Sequence, residues 1–268
     1  GNLFHELVTK AQQGLGRFAF RFLPWWSRPG RDAAWYAAVS ADAIDESHMR
    51  QEYPATPEEA FEATEVGAFL PDMGLWDACR ADLPPLARHE PCILALDAGE
   101  SSDTFATVLV SQHPGEPALL AARYARAYVP QGAPLDFDAI EEDVAGLVAR
   151  HAVRAIVYDP MLLGQMVRRL KARGVATEFI PFPQGAARLE GDKNLLDLVV
   201  QRRIAHDGNA QLREHVANAN KRVDPDGRKL RIIKREHAKK IDLCVALAMG
   251  CARADLLTAA GGFSMRYR

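Results

Sequence analysis

The sequence lacks most of the patterns that identify a chemistry at a glance. Its four cysteines, Cys79, Cys92, Cys244 and Cys251, show no C-x-x-C spacing, and no cysteine or histidine cluster has the spacing of a zinc site. Buried thiols in a reducing compartment are therefore expected. No G-x-x-x-x-G-K-[ST] loop occurs, so the Walker route to nucleotide phosphates is absent. There is no signal-peptide pattern and no apolar run long enough to span a bilayer, which predicts a soluble, intracellular protein with no membrane partner. Internal repeats and low-complexity tracts are also missing. An excess of positive charge is lacking too: 33 Lys and Arg stand against 35 Asp and Glu, a net charge of −2. A polyanionic partner would have to be met by a local patch rather than by the whole molecule.

What is present is an ordinary globular composition, 48% hydrophobic and 25% charged over 268 residues, enough for one large domain or a domain with an appendage. Residues 1–90 do not read as a complete domain. An amphipathic start (Leu3, Leu7, Ala11) leads to a strand-like alternation of Phe18, Phe20 and Phe22, broken by Pro24, Pro29 and Gly30. Residues 33–49 read as helical. In Glu52-Tyr-Pro-Ala-Thr56-Pro-Glu-Glu59-Ala-Phe61, Thr56 suits an N-cap, Pro57 the first helical position and Glu59 the return arm of a capping box. The polar, proline-containing stretch 82–91 leads into the main domain.

From Cys92 the pattern becomes α/β. Strands are predicted near 92–97, 104–112 and 118–128, joined by short polar connections and so antiparallel neighbours. A helix follows over 137–151, then an apolar strand 153–158 and a helix 161–173 stopped by Gly174. A strand over 175–180 completes a parallel crossover. Helix 185–203, strand 228–234 and a strongly apolar helix 239–254 come next, and the tail after Ala259 reads as frayed. This is the ribonuclease H-like layout: a mixed sheet of three antiparallel strands and then parallel strands, flanked by helices, behind an N-terminal helical and linker extension.

Three acids stand at the ends of apolar segments. Asp97 closes Cys92-Ile-Leu-Ala-Leu-Asp97, with a turn aspartate as the competing reading. Asp159 ends its strand at the carboxyl edge, where open α/β sheets place ligands, and could equally be the N-cap before Pro160. Asp242 opens a helix that is apolar nearly all round, where a lone carboxylate costs several kcal/mol unless paired or bound to a metal. The competing reading for Asp242 is a first-turn acid at a solvated helix end. Together the three suit hard cations such as Mg2+ or Mn2+, which take carboxylate oxygens plus water. A pair of such ions can promote phosphodiester hydrolysis. Asp103 and Glu100 lie within reach of the same turn as further ligands or as ordinary turn residues. Between Arg202 and Lys240 basic residues outnumber Asp207, Glu214, Asp224, Asp226 and Glu236. Lys229, Arg231, Lys234 and Lys240 in this stretch would hold phosphates beside the metals, the alternative being a solvated charged surface.

These residues resemble the large terminase subunit of tailed bacteriophages, specifically its C-terminal nuclease domain with the stretch that precedes it. The resemblance is carried by Phe22-Leu-Pro-Trp25, the Glu52–Phe61 stretch, Leu96-Asp97-Ala-Gly with Asp103, Tyr158-Asp159-Pro160, His215-Val-Ala-Asn218-Ala and Lys240-Ile-Asp242. It extends over essentially the whole chain, and the Glu52–Phe61 stretch is its most specific part. It implies a metal-dependent endonuclease that cuts concatemeric viral double-stranded DNA during genome packaging, with Asp97, Asp159 and Asp242 binding two Mg2+ or Mn2+ ions. Asp103 is a further candidate ligand, and Lys234 and His237 are candidate phosphate contacts.

It also implies a small terminase subunit and a portal or procapsid as partners, and action in the host cytoplasm. A monomer is expected in isolation. Large terminases carry a packaging ATPase, and the missing Walker loop departs from that pattern. Residues 1–90 are accordingly expected to be the end of the ATPase domain and its linker, and 91–268 the nuclease domain, with no ATPase activity. Two other readings stay open. One is an actin- or sugar-kinase-like phosphotransferase, because Asp97-Ala-Gly-Glu-Ser-Ser resembles a first phosphate loop, although no second loop or glycine-rich adenosine site is evident. The other is a DNA- or portal-docking module whose nuclease is silent in isolation.

Overall fold

The computed structural model describes residues 3–42, 49, 53–57, 59, 65–99, 104–130, 132–223, 229–234 and 239–258. The chain divides into two compact units, Gly1–Glu65 and Val66–Arg268. Among the described residues no helix is long and apolar enough to cross a membrane.

The first unit carries α1 (Leu3–Gln12), a 3-10 turn (Trp25–Ser27) and α2 (Ala33–Asp42). Phe18, Phe20 and Phe22 form no strand; the segment is irregular and Phe18 is exposed. Alternation alone cannot make a strand without a partner to pair with, and among the described residues none pairs with this segment. The cap at Thr56 forms as expected: Thr56 Oγ1 accepts from Glu59 N at 3.2 Å. Glu59 reaches back to Ala55 N, at 2.6 Å, one residue earlier than in the standard box. Trp25 stacks on Tyr36 at 4.5 Å, and Arg31 lies over Trp35 and Tyr53.

The second unit is built on a six-stranded sheet. In chain order its elements are β1 (Glu65–Ala68), α3 (Met73–Asp77), β2 (Pro91–Ala98), β3 (Phe105–Gln112), β4 (Leu120–Tyr128), α4 (Phe137–Arg150), β5 (Ala152–Tyr158), α5 (Pro160–Ala172), β6 (Glu178–Pro181), α6 (Ala186–Val200), β7 (Ile204–His206), α7 (Ala210–Ala217), β8 (Ala219–Val223), β9 (Leu230–Lys234), α8 (Asp242–Cys251) and α9 (Asp255–Thr258). The large sheet runs β6-β5-β2-β3-β4-β7, and β1-β8-β9 form a separate three-stranded sheet. β2, β3 and β4 are an antiparallel meander. β5 is parallel to β2, β6 to β5, and β7 to β4. The mixed sheet predicted from the apolar pattern is thus present, flanked by helices on both faces.

Period-two alternation along β2 decides which face each residue serves. Cys92, Leu94 and Leu96 pack into one core with residues of α4 and α5, whereas Ile93 and Ala95 pack into the other with residues of α6 and α8. Phe69 and Trp76 are buried in this second core as well. Every residue of α8 is buried, as its nearly all-round apolar sequence requires. Gly250 is what lets α8 lie so close to the sheet. A β-carbon there would stand 2.9 Å from Val110 Cγ2 and 3.3 Å from Ala95 Cβ. Val110 is β-branched, buried and fixed on β3, so it cannot move aside. Gly250→Ala is therefore expected to destabilise by about 1–2 kcal/mol in urea unfolding despite the helix-propensity gain of up to about 1 kcal/mol. A neutral or stabilising result would contradict this packing.

Candidate active site

The three acids reach one place through three local rules. In β2, Asp97 follows Ile93 and Ala95 in alternation and so faces the α6 and α8 side. Asp159 follows Tyr158 at the end of β5, two residues beyond Val157, which lies in the same core as Ala95. Leu96 pairs with Tyr158 in parallel register, so Asp97 and Asp159 are the next residues on adjacent strands at the same edge. Asp242 opens α8, the helix packed over that face. All three are buried, at 7%, 5% and 3% exposure.

Their roles are partly structural. Asp159 is the N-cap of α5: its Oδ1 accepts from Met161 N at 2.8 Å, and Pro160 takes the first helical position. The capping interpretation therefore holds for this carboxylate. Asp97 is strongly perturbed. Burial pushes its carboxyl up to about 8; Arg188 pulls it down, the charges of Asp242 and Asp159 push it further up, and an N–H of Ala98 lowers it. Two acids whose charges raise a third in this way form a field that a cation would relieve.

The donor set suits a hard divalent cation, since it is all carboxylate oxygen. Among the described residues, however, no three His, Cys, Asp or Glu side chains are grouped closely enough to hold a metal ion as they stand. Asp103 and Glu100 fall outside the described residues, as does His237.

Asp97 makes stability depend on pH with a definite sign. Its raised value means that the metal-free fold keeps a proton which the unfolded chain releases above its ordinary 3.8. The stability so contributed is present below that value and is lost as pH rises through about 8. Asparagine mimics the protonated form. In chelator, the melting temperature of Asp97→Asn should pull ahead of wild type between about pH 5 and 8.5, by roughly 3–8 °C for about 1–3 kcal/mol. A constant difference across that range would mean that Asp97 ionises normally.

Of the predicted phosphate contacts, Arg231 and Lys234 lie on β9 and are half-buried, Lys229 precedes that strand and is exposed, and Lys240 precedes α8. Arg231 Nη1 donates to the Gln184 carbonyl, so part of its capacity is spent on the fold. The sequence reading missed Arg188 and Asp192, both buried on α6. Arg188 Nε donates to Asp192 Oδ1 at 2.6 Å and its Nη1 to Gln184 Oε1 at 2.7 Å. Asp192 Oδ2 accepts from Ile232 N at 2.7 Å, fastening β9 to α6. Their i,i+4 spacing in line with the buried Leu195 and Val199 was the available signal.

A mixed sheet of this order, flanked by helices on both faces, has the ribonuclease H-like layout. Residues 126–256 match the family described as terminase large subunit, endonuclease domain. Among solved structures, the chain is similar to the large terminase of bacteriophage HK97, at 16% identity and a TM-score of 0.65 over 94% of this chain. The match spans 61% of the HK97 protein. It is also similar to the large terminase nuclease of thermophilic phage G20c, at 13% identity and a TM-score of 0.50, covering 68% of this chain and 96% of that one. No curated protein matches by sequence.

Proposed function

We propose that the chain works as the nuclease module of a large terminase, cutting concatemeric viral double-stranded DNA during genome packaging by two-metal-ion phosphodiester hydrolysis. The observation that carries this reading is the burial of Asp97, Asp159 and Asp242, with the Asp97 carboxyl pushed up to about 8 by its burial and further by the charges of Asp242 and Asp159. Mg2+ or Mn2+ held by these acids would supply a Lewis acid and an activated water. The chain's own groups do the rest. The bond to Met161 N holds Asp159 in place. α8 carries Asp242 to the edge, and Arg188 tempers the negative field on Asp97. Lys229, Arg231, Lys234, Lys240 and His237 are the groups we assign to the DNA phosphates.

Residues 1–90 are read as the end of an ATPase domain and its linker, and 91–268 as the nuclease. The HK97 match supports this by extending over 94% of the chain, well beyond the segment that matches the nuclease family. The partners are then the small terminase subunit and the portal, met in the host cytoplasm, with a monomer in isolation. Supercoiled plasmid incubated with Mn2+ or Mg2+ should be nicked and linearised with little sequence preference, and left intact in chelator. Cleavage that survives chelation would overturn the mechanism.

A further inference from the structure

The helix that carries Asp242 begins without a cap of its own. Its N-cap residue is Ile241, which makes no side-chain capping bond. A buried helix start leaves amide groups that water cannot reach and that need a partner from elsewhere. α7 supplies it. His215, in the last turn of α7 and 5% exposed, accepts from Leu243 N at its Nδ1, at 3.0 Å. Asn218, the C-cap of α7, donates from Nδ2 to the Lys240 carbonyl at 3.2 Å. These two bonds bracket Asp242 along the chain, one just after it and one two residues before.

We infer that His215 and Asn218 are positioning residues for Asp242: from a separate helix they fix the backbone on both sides of the acid and so set where its carboxylate meets Asp97 and Asp159. The inference rests on the proposed site. Acceptance at Nδ1 requires a neutral ring with its proton on Nε2. Burial, with Lys240 adding to it, pushes His215 down to about 4, so the ring stays neutral near physiological pH. The same junction anchors the small sheet. Ala219, directly after Asn218, opens β8, and its carbonyl accepts from Phe69 N at 3.0 Å. β8 in turn pairs with β9, which carries Arg231 and Lys234. Residues 215–219 therefore join the acid-bearing helix to the strands that bear the assigned phosphate contacts.

The test compares His215→Leu, which keeps bulk but loses the acceptor, with His215→Asn, whose Oδ1 can accept from the same position. Asn218→Ala removes the donor to Lys240. Circular dichroism and melting in chelator establish that each variant is folded, and Asn218→Ala carries the test if His215→Leu is not. His215→Leu and Asn218→Ala should each lower kcat on plasmid DNA by about 10–100-fold, the range seen when the groups that orient metal ligands are lost. KM for DNA should move by less than about twofold. The rise in melting temperature on adding Mn2+ should shrink in both. His215→Asn should recover kcat to within about fivefold of wild type and restore the Mn2+ response. A folded His215→Leu with wild-type kcat and Mn2+ response would overturn the inference, and so would a His215→Asn as impaired as His215→Leu. Asp242→Asn is the control. If it keeps the full Mn2+ response, the site itself is wrong and the positioning role falls with it. If it loses that response while His215→Leu does not, only the positioning role falls.

Discussion

Asp97→Asn and Asp242→Asn should each lower metal-dependent plasmid cleavage by about a thousandfold or more, equivalent to about 4 kcal/mol of barrier. Both substitutions keep the shape of the side chain and remove its charge, so the loss isolates what the carboxylate contributes. Asp97 lies between the other two acids in its electrostatics, since both neighbours raise its carboxyl. Its replacement should also remove most of the melting-temperature rise on Mn2+ addition.

Asp159 separates two functions of one residue. Asp159→Asn keeps an oxygen that can accept from Met161 N, so α5 should remain capped while cleavage falls. Asp159→Ala should lose cleavage and, in addition, about 1 kcal/mol of stability from the cap. Cleavage within tenfold of wild type in Asp97→Asn or Asp242→Asn would remove these acids from the chemistry.

Breaking the buried pair on α6 should have the largest effect on folding. Asp192 is fully buried, and Arg188 is 5% exposed. Asp192→Leu leaves the guanidinium in the core without its carboxylate and leaves Ile232 N without its acceptor. A cost of about 3–5 kcal/mol is expected, a fall in melting temperature of roughly 6–20 °C. Replacing both partners, as Arg188→Met with Asp192→Leu, removes the uncompensated charge and should recover most of that loss. The double variant nevertheless takes away a cation that pulls the Asp97 carboxyl down. It should therefore be stable but ionise Asp97 at still higher pH, so that metal-dependent cleavage begins at more alkaline pH than in wild type. Equal stability of single and double variants would show that the charge of Arg188 is satisfied by other means.

The main elements were legible because each is written locally. The alternation and apolar runs at 92–97, 104–112 and 153–158 produced β2, β3 and β5 nearly to the residue. Asp136, Asp159 and Gly174 mark helix boundaries through caps and a left-handed turn, with φ +77° at Gly174. The short elements escaped. β7 has only three residues, and α7 and β8 follow one another without a break, too little sequence for a period to emerge. Phe18, Phe20 and Phe22 show the converse, a clear period with no strand.

By itself, then, the sequence determined which segments are buried, and it marked Asp97, Asp159 and Asp242 as acids at the ends of apolar segments. Only the tertiary structure decided that Asp159 and Asp242 come near enough for their charges to act on Asp97. Alternation sets the face of a strand residue, but which strand lies beside which, and which helix covers that face, depends on long-range packing. Gly250 allows α8 to approach β3, the β2–β5 register puts Asp97 beside Asp159, and α7 caps the start of α8 from outside its own sequence. Those contacts join residues far apart in the chain, and no local pattern encodes them.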